Sequence, residues 1–585
     1  MQYSREQYTK FLNMELCAVT EEYDKLFSAS ANALLNDVEE LFVGVFLKMD
    51  GGEMVVKFRG SRAFPRKGEY MYAMYLPRAI QDYSQWNGVT YEDLYKQRLK
   101  GSEAVCVWQS KSRESGYVLA GFRHVDVDFA NYISCAPGAL LFFGPNRPPI
   151  EYLANLYKVA QDKESEGVCS VLDKERSGRG LSPELIQDFD ASGIVYERMN
   201  RQGTIILQGP PGTGKTQLIA EIVRQCCDAG KSVLVTALTN RALLEIAEKD
   251  ALAGLLKGGR VLKVNLKSEE QEELKMLQNA KAIVPVLGSV VMSTFYITSG
   301  FAAELAGENA FDYVIMDEAS QALLVMFAAA KKIGRYNLWV GDTAQLPPVV
   351  SLNEDRINEN QFNGIVNGLQ YVVELNDVPV YQLTRSYRFG PRAASFTGMF
   401  YNGTLTSALI GDVKSYHSLN FLDNRGGPTL ILTDMAPGDA TPEFALDMIT
   451  FIVGSILHDD KNADISVLTC LKRTTRALQK AIAVRLGLAN EIIIETIARI
   501  QGLTSDVTIF LIPNVSLIRS LEPHLFNVAT SRAKWHTIII ADKDVLKFPL
   551  VNPIVGEYLS RLRAERCVYV PADKNSGHMN ALLGS

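Results

Sequence analysis

The strongest constraint on this 585-residue chain is one octet, Gly209-Pro-Pro-Gly-Thr-Gly-Lys-Thr216. It follows the apolar run Thr204-Ile-Ile-Leu207 and opens a segment with Leu218, Ile219, Ile222 and Val223 at helical spacing. Strand, glycine-rich loop and helix in that order form the context of a phosphate-binding loop. Gly212 and Gly214 let the loop turn its N–H groups inward, and the helix start adds partial positive charge. A Gly/Pro turn joining a strand to a helix is the bland alternative, and this context disfavours it. The set Gly209, Pro210, Pro211, Gly212, Thr213, Gly214, Lys215 and Thr216 is therefore the candidate nucleotide cradle. Lys215 is placed to reach the β- and γ-phosphates of ATP, and the Thr216 hydroxyl to hold Mg²⁺.

The complementary half comes about a hundred residues later. Tyr313-Val-Ile-Met316 reads as a buried strand, with Asp317 and Glu318 at its carboxyl end, where open α/β sheets place their ligands. Asp317 suits the Mg²⁺ shell, making Thr216 and Asp317 the candidate metal residues. Glu318 suits the base that orients an attacking water. An Asp-Glu pair alone is usually a solvated turn, and its company with the octet gives it the catalytic reading.

Composition narrows the setting. No apolar run approaches the length of a bilayer span, and the opening residues carry Arg5, Glu6 and Lys10 instead of a signal-peptide core. Eight cysteines without a CxxC pair and six scattered histidines argue against disulfide, zinc or iron–sulfur frameworks, which fits a reducing cytoplasm. The net charge of −6 means that any nucleic-acid site is a local groove.

Along the chain, residues 4–38 read as one helix, with Ser4 and Gln7 as a capping box and an apolar stripe at steps of three and four. Six short apolar runs between residues 41 and 143, separated by turns such as Asp50-Gly-Gly52, suggest a small barrel. A helix is expected from about Ile150 to Gln161. Strands and helices alternate from about residue 180, the pattern of parallel α/β sheets.

Further motifs keep a fixed order. Asp317-Glu-Ala-Ser-Gln321 is followed by Trp339-Val-Gly-Asp-Thr-Ala-Gln-Leu-Pro-Pro348 and Leu383-Thr-Arg-Ser-Tyr-Arg388. Then come Phe400-Tyr-Asn-Gly-Thr-Leu405, Ala498-Arg-Ile-Gln-Gly502 and Asn527-Val-Ala-Thr-Ser-Arg-Ala-Lys534. Over roughly residues 200–540 the chain resembles the superfamily 1B helicases, in the branch of the nonsense-mediated-decay RNA helicase and the Okazaki-fragment DNA helicase. The resemblance implies two tandem RecA-like parallel-sheet domains after a helical stalk and a small β-barrel. The expected division is stalk helix 1–39, barrel 40–149, return helix and linker 150–179, first RecA-like domain 180–370, second 371–550 and tail 551–585.

The resemblance also implies roles. Gln345 would sense the γ-phosphate from the first domain, and Arg388 and Arg532 would reach it from the second as arginine fingers. An arginine considered alone is far more often a surface salt bridge. Tyr387 would stack on the base, and Gly502 and Thr504 would approach the ribose. Thr239 and Asn240, with Ser293 and Thr294, resemble the phosphate-contacting motifs for single-stranded DNA or RNA, although Thr239 also reads as a helix cap. In the barrel, Lys57, Phe58, Arg59, Arg62, Phe64, Arg66 and Lys67 mix charge with aromatics in the manner of a single-strand groove, against the plainer reading of a solvated surface.

Two departures stand out. The usual "VDxxQGxE" here has Ala498 where the first acid belongs and Thr504 where the last does, and Gln187 is a poorly spaced candidate for an adenine-reading glutamine. The expected activity is a monomeric ATP-dependent translocase running 5′ to 3′ on single strands. The alternative is a nucleotide-switched clamp or regulatory ATPase that does not unwind.

Overall fold

The computed structural model describes residues 2–572 apart from 67, 112–113, 115, 175–181, 188–189, 376–377, 410–412, 487–491, 501 and 549–550. The chain forms two compact units. One contains Met1–Ala18, Pro149–Val413 and Pro523–Lys534, and the other Val19–Pro148, Lys414–Glu522 and Trp535–Ser585.

The first helix covers Arg5–Phe27. The Ser4 hydroxyl accepts from Gln7 N and the Gln7 carboxamide accepts from Ser4 N, so the expected capping box is present. The helix stops well short of residue 38. The Ser28 hydroxyl folds back on Asp24 O, and Ala31 N and Ala29 O pair with Val89 O and Tyr91 N. Backbone groups captured by another strand of chain cannot continue a helix, and a second short helix, Ala31–Asn36, begins afresh.

Six antiparallel strands then close a barrel in the order β1-β2-β5-β4-β3-β6. They are β1 Phe42–Asp50, β2 Glu53–Arg59, β3 Tyr70–Tyr75, β4 Lys100–Lys111, β5 Tyr117–Arg123 and β6 Leu140–Gly144. Alternate residues point inward, packing Phe46, Val56, Phe58, Phe122 and Phe143 into a core. Gly121 is needed where Trp108 crosses it, since a Cβ there would lie 2.1 Å from the indole nitrogen.

The first unit is built on a nine-stranded sheet in the order β11-β10-β12-β9-β13-β14-β8-β15-β7. Its strands are β7 Glu184–Ile186, β8 Thr204–Gln208, β9 Val233–Ala237, β10 Val261–Val264, β11 Gln278–Ala280, β12 Val290–Thr294, β13 Phe311–Met316, β14 Gly334–Gly341 and β15 Val380–Leu383. Every neighbouring pair runs parallel. The central strands β8, β9 and β12 are buried along their whole length, as expected for strands covered by helices on both faces. The sheet runs past residue 370, where the sequence reading ended it, because β15 inserts beside β8.

After the short pair β16 Arg385–Ser386 and β17 Thr406–Ser407, the second unit carries a six-stranded sheet. Its strands are β18 Gly427–Thr433, β19 Ile465–Thr469, β20 Ile492–Thr496, β21 Ser505–Ile512, β22 Ala533–Asp542 and β23 Cys567–Val570, in the order β20-β19-β21-β22-β18-β23. The segment read as a tail thus supplies the helix Pro553–Glu565 and an edge strand paired parallel with β18. Among the described residues no helix is long and apolar enough to cross a membrane, and no group of three or more His, Cys, Asp or Glu is placed to hold a metal ion.

Candidate nucleotide site

The site is made by the carboxyl ends of adjacent parallel strands. β8 runs into the octet, and the helix Lys215–Asp228 follows directly with Gly214 as its N-cap. Gly212 and Gly214 have φ of 74° and 80°, the left-handed conformation that turns successive N–H groups toward one point. A Cβ on Gly209 would meet the Lys215 side chain at 2.4 Å, so a larger residue there would have to displace the lysine. The Thr213 hydroxyl donates to Pro210 O at 2.8 Å and ties the loop to itself. Lys215 Nζ donates to the carbonyls of Gly209 and Pro210. Burial lowers its pKa, and Asp342 and Asp317 oppose that shift.

Asp317 and Glu318 leave β13 two strands away in the same sheet. Glu318 has φ +53°, a conformation that a side chain with a Cβ adopts at a cost. Its backbone N–H donates to Asp317 Oδ1 at 2.9 Å. Burial raises the pKa of both carboxyls. For Glu318 the rise is from 4.5 to about 8, with the charge of Asp317 as second cause. After β14, Gln345 is buried and its amide donates to Asp342 Oδ2 at 2.7 Å.

Arg388 and Arg532 stand elsewhere than expected. The resemblance implies a second domain for both, whereas they belong to the compact unit that holds the octet. The reason is β15. It pairs in parallel with β8, Gln382 opposite Gln208, so the two chains leave the sheet side by side. β8 continues into the cradle and β15 into Arg385–Phe389. Tyr387 N donates to Gly212 O at 2.8 Å, and the Ser386 hydroxyl donates to Pro211 O at 3.1 Å. A Cβ on Gly212 would lie 2.4 Å from the Arg388 Cβ. Arg388 Nη1 donates to Ser531 O at 2.8 Å, and Arg532 Nη2 donates to Gln345 Oε1 at 3.3 Å. Burial lowers the pKa of Arg388 to about 9 and of Arg532 to about 10, leaving both cationic at neutral pH. Tyr387 keeps its ring exposed, above Gly214.

An AAA domain family profile matches residues 193–351, the stretch from the helix before β8 to the loop after β14. The chain is 27% identical over 437 residues to the DNA replication ATP-dependent helicase/nuclease DNA2 of Gallus gallus, covering 72% of this chain and 41% of that protein. It is 30% identical over 215 residues to the Homo sapiens protein of the same name, covering 35% of this chain and 20% of that one. The regulator of nonsense transcripts 1 homolog of Arabidopsis thaliana is 25% identical over 475 residues, covering 68% and 36%.

These similarities support a superfamily 1B helicase.

The chain spans less than half the length of the curated relatives it matches. The residues read as this superfamily's nucleic-acid contacts divide sharply. Thr239 is the N-cap of the helix Asn240–Ala247, its hydroxyl accepting from Ala242 N at 3.2 Å. The cap reading therefore describes its side chain, while Asn240 is half-buried beside it. Ser293 is fully buried in a hydroxyl cluster with Thr298 and Thr236, and Thr294 is buried too. Ser293 presents no side chain to a strand of nucleic acid. Its strand β12 is central, so both faces of the sheet are covered there.

The barrel set is corrected in the same way. Phe58 and Phe64 belong to the core, and Arg66 is 3% exposed with its guanidinium on Glu69 and Glu495. Lys57 pairs with Glu114 and lies over the Tyr117 ring, and Arg62 lies over Tyr83. Arg59 alone of the described set is exposed, and Lys67 lies outside the described residues. Gln187 is exposed at the end of edge strand β7. Gly502 and Thr504 belong to the second unit. Gly502 is exposed with φ 87°, and Thr504 is half-buried just before β21. The sequence reading passed over Asp342, Tyr401 and Asn527, which are buried and hydrogen-bonded together beside Gln345. Asp342 and Tyr401 lie within recognised motifs, but their pairing across 59 residues leaves no local signal.

Proposed function

We propose that this chain is an ATP-driven motor that moves on single-stranded DNA or RNA, 5′ to 3′, as a monomeric core. The observation that supports it is the gathering of Lys215, Asp317, Glu318, Gln345, Arg388 and Arg532 around one phosphate cradle. A metabolic P-loop kinase has no use for two arginines and a glutamine converging there. The DNA and RNA partners are supported by relatives named as a DNA replication ATP-dependent helicase/nuclease and a regulator of nonsense transcripts.

The cradle N–H groups and Lys215 hold the β- and γ-phosphates of ATP, with Lys215 leaving its carbonyl partners for them. Glu318 orients a water for in-line attack on the γ-phosphorus and takes a proton from it. The bond to the bridging oxygen breaks, releasing ADP and phosphate. Arg388 and Arg532 meet the charge that spreads over the transferring oxygens, and Gln345 reports whether a γ-phosphate is present. Tyr387 offers an exposed ring on which the base stacks. The residues fit Mg²⁺: Asp317 is a buried carboxylate whose pKa is raised by burial, an environment that a cation would relieve, and Thr216 supplies a hydroxyl nearby in the loop. Bound there, Mg²⁺ would neutralise charge on the β- and γ-oxygens.

Matched DNA and RNA oligomers test the reading. ATP turnover should rise on adding either or both, the binding should weaken with salt, and base sequence should matter little. A forked duplex then separates a motor from a clamp. Turnover indifferent to every oligomer would overturn the proposal.

A further inference from the structure

Beside the cradle, Asp342, Tyr401 and Asn527 join a buried polar network and have no role in the chemistry above. Asp342 is 2% exposed, Tyr401 6% and Asn527 0%. The Tyr401 hydroxyl donates to Asp342 Oδ2 at 2.7 Å, the oxygen that also accepts from Gln345 Nε2 at 2.7 Å. Asn527 Nδ2 donates to the Tyr401 hydroxyl at 2.9 Å and to Ala344 O, next to Gln345, at 2.8 Å. Gln345 spends its other amide atom on Arg532. Five side chains from three separated stretches of sequence are thus joined end to end.

The cost of this arrangement is visible. Asn527 Oδ1 is buried and has no hydrogen-bond partner. Turning the amide over would set that oxygen against Ala344 O, so the orientation is fixed by the two acceptors and the third atom is left unpaired. A buried unpaired carbonyl is unfavourable. It is tolerated where the geometry it enforces is needed. Burial also holds the Tyr401 phenol protonated, so it stays a donor to Asp342 over the working pH range.

We propose that Tyr401, braced by Asn527 and acting through Asp342, is the positioning residue that holds Gln345 and Arg532 in the arrangement that recognises a γ-phosphate. The hydroxyl of Tyr401 is engaged by Asp342 and Asn527. It fixes the one carboxylate oxygen on which the Gln345 amide is oriented, and the Gln345 carbonyl in turn orients the Arg532 guanidinium. Two consequences follow. Loss of the hydroxyl should lower turnover more than affinity, and it should erase discrimination between nucleotides with and without a γ-phosphate. The inference rests on the hydrolytic reading above.

The test uses the full chain and Tyr401→Phe, with steady-state ATP turnover and direct binding of the fluorescent probes mant-AMPPNP and mant-ADP. Tyr401→Phe should lose kcat by ~10- to 100-fold, the range for a hydrogen bond to a charged group. Its affinity for mant-ADP should stay within about threefold, while the preference for mant-AMPPNP over mant-ADP falls toward one. In a Gln345→Ala background the same substitution should add little, since it acts through that residue. Tyr381→Phe is the control, because it removes another buried hydroxyl, the one donating to Gln202 at 3.1 Å, and should leave kcat and nucleotide preference unchanged. Wild-type kcat and preference in a folded Tyr401→Phe would overturn the inference alone. Full additivity with Gln345→Ala would also overturn it. A wild-type chain that binds neither probe would overturn the functional reading and this inference together.

Discussion

Glu318→Gln separates the demands of folding from those of catalysis at one side chain. Burial, with the neighbouring Asp317 charge, raises the Glu318 carboxyl from 4.5 to about 8. The folded protein therefore binds this proton more tightly than the unfolded chain does. Such a group contributes its stability fully below pH 4.5, and that stability is lost as pH rises through 8. At about 1.36 kcal/mol per tenfold change, the ceiling is roughly 5 kcal/mol. The side chain is partly open to solvent, which cuts the expected figure to about 1–2 kcal/mol. Glutamine is neutral throughout, so the variant should match wild type near pH 4.5, gain on it up to pH 8 and stay ahead above that. For a unit of this size the gain corresponds to roughly 2–8 °C in midpoint at pH 8.5. Thermal or urea unfolding of both proteins at pH 5 and pH 8.5, with turnover measured on the same samples, is the assay. Turnover should fall by orders of magnitude in the variant, and in wild type kcat/KM should climb with pH toward a plateau above about 8. Equal unfolding midpoints at pH 8.5, or a wild-type kcat/KM flat between pH 6 and pH 9, would refute the reasoning.

Lys215→Ala should abolish measurable ATP turnover, because the only lysine in the cradle carries the charge that meets the β- and γ-phosphates; turnover within tenfold of wild type would remove it from the site. Arg388→Ala and Arg532→Ala should each slow turnover by roughly 10³–10⁵ while mant-ADP binding changes little, and rapid hydrolysis in both would contradict their place at the transferring phosphoryl. Tyr387→Ala should raise the KM for ATP by about 1–2 kcal/mol in binding terms, several-fold or more, with kcat held, as read from steady-state kinetics. Arg66→Ala removes the guanidinium shared by Glu69 and Glu495, leaving Glu495 to Arg499 and the Thr496 N–H and Glu69 to the residue 66 N–H, and should destabilise the second unit by about 1–3 kcal/mol, measured by urea unfolding, with nucleic-acid affinity changed less than a surface groove residue would require.

Local pattern was enough for the elements whose physics is local. The octet needs glycines at fixed places because its own backbone must take φ of 74° and 80°. The barrel strands show as short apolar runs between turns, and Asp317-Glu318 falls at a strand's carboxyl end because the apolar run before it ends there. These features are written within ten or twenty residues of themselves. Where the first sheet ends is not written in that way. Val380-Tyr-Gln-Leu383 is an ordinary four-residue segment, and only its pairing with β8 carries Arg388 onto the cradle of its own unit.

Side-chain exposure was the other unreadable quantity. Ser293, Phe58 and Arg66 have the chemistry of nucleic-acid contacts, but a serine, a phenylalanine or an arginine has the same letter buried or exposed. Burial is decided by what packs across the sheet or barrel, which depends on residues far away in sequence. The link from Asn527 through Tyr401 and Asp342 to Gln345 shows the limit most clearly. Its members lie in motifs whose order was legible from the chain alone. That they form one network follows only from the folding of three distant stretches together past the carboxyl end of β14, because hydrogen bonds of under 3 Å require a geometry that sequence spacing does not encode.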